Sequence, residues 1–109
     1  MRVDFTFDKE LVDASEYTMA DIYGTIKKEF AASNLPCVSD KEVLAFTGRG
    51  SEDDFAEMWV IIINLTDSPW FMKLATSCIW YNDNDEWEDV LELAREEKQR
   101  KLSMNNVYA

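Results

Sequence analysis

The sequence predicts a single α+β domain, in which an antiparallel sheet of three or four strands carries two helices packed on one face. Three observations lead to this fold class: a strictly alternating segment at 2–8, a stripe of apolar residues with helical spacing after Thr18, and two long apolar runs within 55–81. The predicted order of elements is β-α-β-β-β-α. The domain is expected to span residues 1–102, and residues 103–109 are expected to form a flexible C-terminal tail.

The first strand is predicted at residues 2–8, where Val3, Phe5 and Phe7 alternate with polar or charged residues. Because the side chains of a strand point alternately to its two faces, this pattern gives one buried face and one wet face. Residues 9–17 show neither the strand period nor the helix period, and they are predicted to form a connection.

The first helix is predicted to begin near Met19, because Thr18 and Asp21 have the spacing of a capping box, with Asp in place of the usual Glu. Asn34 is suited to the left-handed position that ends a helix, and Pro36 prevents its continuation. One face of this helix carries Met19, Ile22, Tyr23, Ile26 and Phe30. The helix is therefore amphipathic, with one stripe available for packing against the sheet.

A second strand is predicted at residues 42–47, followed by a loop at 48–51 that reads GRGS. A glycine-rich loop can hold a phosphate through backbone N–H groups, but three carboxylates follow this loop directly, at Glu52, Asp53 and Asp54. Because these carboxylates would repel a phosphate, we interpret the segment as a hairpin loop.

A long hairpin is predicted at residues 55–81, around the turn signal DSP at 67–69. Residues 60–63 are consecutive and β-branched, which favours an extended chain. The first arm is apolar on both faces over residues 58–63, as in a central strand that is covered on each side. The sheet would then carry more apolar area than two helices can cover, so we expect an exposed apolar face that binds a partner.

The segment NDND at 82–85 is predicted to end the sheet and to cap the second helix, because Asp85 and Glu88 have capping-box spacing. Acidic residues crowd the first turns of this helix and basic residues crowd the last, which complements the helix dipole at both ends. The buried stripe of the second helix is predicted to contain Trp87, Val90, Leu91 and Ala94.

The charge balance narrows the classes of partner. The chain has 22 acidic and 11 basic residues, a net charge of −11 and a pI of about 4.3. Such a surface repels nucleic-acid phosphates and anionic lipids, so neither a nucleic acid nor a membrane is an expected partner. No apolar stretch resembles a secretory signal or a transmembrane helix, so we expect a cytoplasmic protein in which Cys37 and Cys78 stay reduced.

Candidate chemistry is limited by the absence of histidine, which removes the imidazole-based serine, cysteine and zinc chemistries. The larger acidic group does not match a calcium loop, since counting from Asp83 places Trp87 at the fifth position, where an oxygen ligand is required. We therefore predict no catalytic residue, no metal and no cofactor. The acidic surface candidates are Glu52, Asp53, Asp54, Asp83, Asp85, Glu86, Glu88 and Asp89.

The leading functional prediction is a small non-catalytic protein–protein interaction module, whose partner is a second copy, giving a homodimer, or a basic protein. Trp70 directly follows the turn proline and is the predicted interface anchor, because Trp is favoured in interface hot spots. The other interface candidates are Phe71, Trp80 and Tyr81. Two alternatives stay open: an acidic decoy that inhibits a nucleic-acid-binding protein, and a ligand-binding domain or enzyme that uses carboxylates in a pocket between helix and sheet.

Overall fold

The computed structural model describes the backbone of residues 1–108 and the side chains of residues 1–100. Within this part of the chain the elements are β1 (Arg2–Phe7), α1 (Lys9–Asp13), α2 (Met19–Ala32), β2 (Cys37–Asp40), β3 (Leu44–Thr47), α3 (Asp54–Thr66), α4 (Pro69–Leu74), β4 (Ala75–Tyr81), β5 (Trp87–Asp89) and α5 (Val90–Tyr108). The predicted α+β class is confirmed, whereas the order of elements and the number of strands differ from the prediction. The predicted domain, 1–102, and its flexible tail, 103–109, stay predictions, because the tail lies outside the described side chains.

The five strands of the described chain form one antiparallel sheet in the order β2-β3-β1-β4-β5. Val3 of β1, at the centre, lies between Phe46 and Trp80, and all three side chains are buried. The edge strands β2 and β5 contain 4 and 3 residues, and the pairing of β2 with β3 shifts register between Cys37 and Ser39. The buried face of the sheet therefore belongs mainly to the three inner strands.

The helices cover one face of this sheet, where their buried residues form one core cluster with those of the strands. The rings of Phe30 on α2 and Phe46 on β3 are stacked, with their centroids 4.0 Å apart. The ring of Phe5 meets Phe30 edge-on at 6.0 Å and Phe71 of α4 edge-on at 5.8 Å. Helices α2 and α4 are thus held on the sheet through one cluster of aromatic rings.

The opposite face of the sheet contributes no residue to the core cluster in the described chain. By the register of the strands, Asp4 and Arg2 of the central strand share this face with Ile79, Tyr81 and Trp87. Arg2 and Asp4 form an ion pair of 2.6 Å between Nε and Oδ1. This face is consequently mixed in character, and the predicted arm at 58–63 contributes nothing to it.

Two sequence predictions are confirmed in detail. The alternation at 2–8 gives β1, with Val3 and Phe5 fully buried. At the start of α2, the backbone N–H of Asp21 donates to Oγ1 of Thr18 at 3.1 Å, and the backbone N–H of Thr18 donates to Oδ2 of Asp21 at 3.2 Å. The reciprocal capping box therefore forms with Asp in the place of Glu.

The predicted connection at 9–17 contains a short helix, α1. Asp8 starts this helix, because its Oδ1 accepts hydrogen bonds from the backbone N–H groups of Glu10 at 2.8 Å and Leu11 at 3.3 Å. This is the usual role of Asp at an N-cap.

The prediction of a strand over residues 58–63 is wrong, because this segment lies within helix α3. The buried residues of α3 after its first turn have helical spacing and are Met58, Ile61, Ile62 and Leu65. The intrinsic cost of a β-branched residue in a helix is below about 0.7 kcal/mol, so the burial of these four side chains outweighs the local preference. The predicted hairpin turn is also wrong: Pro69 occupies the first turn of α4, where its missing N–H costs nothing.

The segment 82–86 is a hairpin turn between β4 and β5, and the prediction that it caps a helix is wrong. Oδ1 of Asn82 accepts hydrogen bonds from the backbone N–H groups of Asn84 at 2.8 Å and Glu86 at 3.0 Å, and Asp85 has a φ of 60°. Asn and Asp stabilise turns in this way. Trp87, predicted to be buried on a helix, lies on β5 with 63% of its surface exposed.

Candidate functional site

Helix α3 carries apolar side chains on its outward side as well as on the side that packs in the core. The exposed fractions are 51% for Phe55, 58% for Val60 and 52% for Ile63, and Trp59 lies among them half-buried. We call these four residues the outer α3 face. A helix that is apolar all round is normally buried. A contiguous apolar patch that stays exposed on a protein surface often marks an interaction site.

A groove runs beside the outer α3 face, between α3 and the first turns of α5. Its volume is approximately 640 Å³, and its floor includes Ile62 of α3, Met72 of α4 and Val90 of α5. Leu93, with 43% of its surface exposed, lies on the α5 side of the groove, and Ile63 lies on the α3 side. We call this depression the α3–α5 groove. Its apolar floor and walls suit an apolar side chain or helix.

The charged residues at the groove are balanced in sign. The lining contains the acidic residues Asp67 and Glu97 and the basic residues Arg95 and Lys98. The groove is therefore locally neutral, in a chain whose net charge is −11.

Three aromatic rings hold the first half of the outer α3 face in place. The ring centroid of Trp80 on β4 lies 5.6 Å from that of Phe55 and 5.4 Å from that of Trp59. The indole nitrogens of Trp59 and Trp80 are buried and have no hydrogen-bond partner. The two indole N–H groups therefore lack hydrogen bonds, and the cluster is stabilised by aromatic packing instead. This packing holds Phe55 and Trp59 of the outer α3 face against the sheet.

Asp54, predicted at the surface, is buried with 4% of its area exposed, and it anchors the start of α3. Its Oδ2 accepts hydrogen bonds from the backbone N–H groups of Gly50 at 2.8 Å and Ser51 at 3.1 Å. Nε of Arg49 lies 3.7 Å from Oδ1, which makes an ion pair without a hydrogen bond. A Cβ at Gly48 would lie 2.6 Å from Oδ2 of Asp54, so any larger residue there would force this carboxylate to shift. The loop at 48–51 therefore leads into a helix, and its interpretation as a hairpin loop is wrong.

The structure disperses most of the acidic candidates and brings three of them to one cleft. Asp83 is paired with the amino terminus of Met1 at 2.6 Å, and a cleft of approximately 390 Å³ is bordered by Met1, Asp83, Glu52 and Asp54. The exposed acidic candidates are Glu52, Asp53, Asp83, Asp85, Glu86 and Glu88, and Asp89 is half-buried. Among the residues that the structure describes, no group of three or more carboxylate or thiol side chains is placed to hold a metal ion.

The four interface candidates do not share one surface. Phe71 is fully buried and Trp80 is 7% exposed, because both belong to the core. Trp70 is half-buried, with ring contacts to Tyr17 at 6.2 Å and to Phe71 at 5.9 Å. Tyr81 lies on the opposite face of the sheet. The sequence did not lead us to predict the outer α3 face. It could have been found by first assigning the buried helical stripe at 58–65 and then noting the apolar residues of the helix that lie outside that stripe.

The two thiols differ in their surroundings. Cys78 is buried on β4, and this burial, with smaller contributions from the charges of Asp89 and Asp4, raises the pKa of its thiol far above the ordinary value. A thiol in that state is a poor nucleophile at neutral pH. Cys37 is exposed on the edge strand β2, where its Sγ donates a hydrogen bond to the carbonyl of Ser39 at 3.3 Å.

No family model, no curated protein and no solved structure matches this chain. Of the helices in the described residues, none combines the length and the apolar character that crossing a membrane would require.

Proposed function

We propose that this chain is a non-catalytic protein–protein interaction module that binds a helix of its partner through the outer α3 face and the α3–α5 groove. One observation carries the proposal: Phe55, Val60 and Ile63 each leave more than half of their surface exposed on a single helix beside an apolar groove. An amphipathic helix laid into a hydrophobic groove is a recurrent mode of recognition, and its apolar side chains serve as anchors.

The expected gain from covering these side chains is moderate. Complete burial of a Val, Ile or Phe side chain is worth about 1.5–3 kcal/mol, so covering the exposed halves of three such side chains contributes about 2–4 kcal/mol. The groove adds apolar contacts from Leu93 and Met72. The rings of Phe55 and Trp59 are already held by Trp80, so a partner loses little free energy in ordering them.

The position of one carboxylate favours this function over an acidic decoy or a carboxylate enzyme. Asp54 is buried and accepts hydrogen bonds from the backbone N–H groups of Gly50 and Ser51. This group is therefore committed to contacts within the chain. The cytoplasmic location and the lack of catalytic activity remain part of the proposal.

The test compares Val60→Lys with a matched control, Val38→Lys. Val38 lies on the edge strand β2 with 49% of its surface exposed, against 58% for Val60 on α3. Each chain is immobilised and exposed to a lysate of the native host, and the recovered proteins are identified by mass spectrometry. We expect a partner that the wild type and Val38→Lys recover and that Val60→Lys loses, because a lysine in the interface is costly to desolvate.

Both variants change surface positions and should unfold within about 0.5 kcal/mol of the wild type. Circular dichroism and thermal unfolding check this condition. Equal recovery by the wild type and by both variants would contradict the proposed binding surface.

A further inference from the structure

The lining of the α3–α5 groove is balanced in charge, which bears on the identity of the partner. No charged side chain belongs to the outer α3 face, and the groove beside it has Asp67 and Glu97 balanced by Arg95 and Lys98. A strongly basic partner would find no excess of negative charge there. A second copy of this acidic chain would likewise meet no excess of negative charge in the lining of the groove.

We propose that the occupant of the α3–α5 groove is the α3 helix of a second copy, so that the protein forms a homodimer about a two-fold axis. This inference rests on the function proposed above and names its partner. In a two-fold interface the same patch serves both chains, so the patch must be complementary to itself in shape as well as in charge.

The residue sizes along α3 meet this requirement. When two α3 helices run antiparallel with the axis between Trp59 and Val60, Ala56 of one copy faces Ile63 of the other, and Trp59 faces Val60. A small residue opposite a large one allows the two helices to interdigitate. The antiparallel arrangement also brings the positive end of each helix dipole near the negative end of the other.

The size of the surface sets the expected strength. Helix α3 contains 13 residues and is about 20 Å long, so two such faces make an interface at the small end of the range for specific complexes. We therefore expect a reversible dimer with a dissociation constant of about a micromolar or weaker. The negative charge elsewhere on the two copies opposes the association and should be screened by salt.

Sedimentation velocity and light scattering test the proposal on the full chain, at protein concentrations from about 5 to about 500 µM and at about 50 and about 500 mM NaCl. The mass should rise from 12.7 kDa towards twice that value with concentration, and the dimer should tighten at the higher salt. Val60→Lys should weaken association at least about tenfold, because each dimer would contain two lysines at its centre. Val38→Lys should associate like the wild type.

A wild-type chain that stays monomeric across this range would overturn the homodimer, as would a dimer that dissociates with rising salt or one that Val60→Lys and Val38→Lys affect equally. The affinity experiment above separates the two proposals. If the wild type is monomeric and still recovers a protein that Val60→Lys loses, only the second copy is excluded as the partner. If that difference is also absent, both proposals fail.

Discussion

Helices α2 and α3 have similar lengths, 14 and 13 residues, and each buries one face in the same core, yet their outward sides differ in kind. The outward side of α2 carries exposed charged residues such as Lys28 and Glu29. The outward side of α3 carries Val60 and Ile63, both more than half exposed. The difference shows that packing in the core does not require the outer face of α3 to be apolar, so that face calls for a separate explanation, and the proposed partner binding would supply one.

The inner faces of the two helices should contribute alike to stability, and this is the largest effect that we expect. Phe30 of α2 and Ile62 of α3 are 0% and 1% exposed. Phe30→Ala should lower the free energy of unfolding by about 3–5 kcal/mol and Ile62→Ala by about 2–5 kcal/mol, through lost burial and a residual cavity. Urea denaturation measures both values, with Val60→Ala as the control that should change stability by less than about 0.5 kcal/mol. If Ile62→Ala cost no more than Val60→Ala, the assignment of inner and outer sides of α3 would be wrong.

The next largest effect that we expect is a difference between the two helix starts in how much their capping residues contribute to stability. Asp54→Ala removes the buried carboxylate that accepts from the backbone N–H groups of Gly50 and Ser51. Because a hydrogen bond to a charged group contributes about 1.5–3 kcal/mol, the change should cost about 2–3 kcal/mol. Thr18→Ala removes the capping oxygen of α2 and should cost about 1 kcal/mol.

The neighbouring Asp53 provides a control, because its side chain makes no capping hydrogen bond. Asp53→Ala should change stability by less than about 0.5 kcal/mol. Urea denaturation of the three variants ranks them, and an Asp54→Ala cost no larger than that of Thr18→Ala would contradict the role of Asp54 as a buried anchor.

The smallest effect that we expect is a pH dependence of the folding stability, which arises from an ion pair on the exposed side of α2. Nζ of Lys27 donates to Oδ2 of Asp40 on β2 at 2.8 Å. This hydrogen bond lowers the pKa of Asp40 below its ordinary 3.8 and raises the pKa of Lys27 above its ordinary 10.5. The stabilisation of the folded state by the Asp40 carboxylate is therefore present above about pH 4 and is lost as the pH falls through the lowered pKa of Asp40. The stabilisation by the Lys27 ammonium group is present below about pH 10.5 and is lost as the pH rises through the raised pKa of Lys27.

Thermal unfolding of Asp40→Asn measures this contribution. At pH 7 the melting temperature should fall by about 1–3 °C at most, since the pair is exposed and screened by water. The difference from the wild type should shrink as the pH is lowered below about 4. A difference that persisted unchanged in acid would show that Asp40 acts through something other than its charge.

The sequence predicts β1 and α2 because each has only one buried side. At Val3 and Phe5 the apolar residues alternate with polar ones, and at Ile22 and Ile26 they recur every turn with charges between them. These periods are distinguishable, since a polar residue marks every position that faces water.

Helix α3 could not be recognised in the same way. Its helical stripe, Met58, Ile61, Ile62 and Leu65, is present in the sequence, but Trp59, Val60 and Ile63 occupy the positions between. The period of 3.6 is hidden when apolar residues fill both sides, and the β-branched run then favours the wrong element. The residues that obscured the helix are members of the outer α3 face, so the sequence prediction failed at the candidate site itself.

Other differences depend on contacts that lie far apart in the sequence. The NDND turn was recognised as the end of a strand, but β5 is only 3 residues long and contains Glu88 and Asp89, which have low strand propensity. The buried position of Asp54 depends on a loop that folds back on it, and a row of carboxylates gives no sign that one of them is enclosed.

The short outer strands of the sheet have a further consequence for how this protein behaves when it is concentrated. Amyloid growth needs a long, straight border of free backbone groups on which an incoming chain can stack, and here one border has 4 residues with an irregular register and the other has 3. Crowded molecules of this protein are therefore poorly equipped to nucleate fibrils through the borders of the folded sheet.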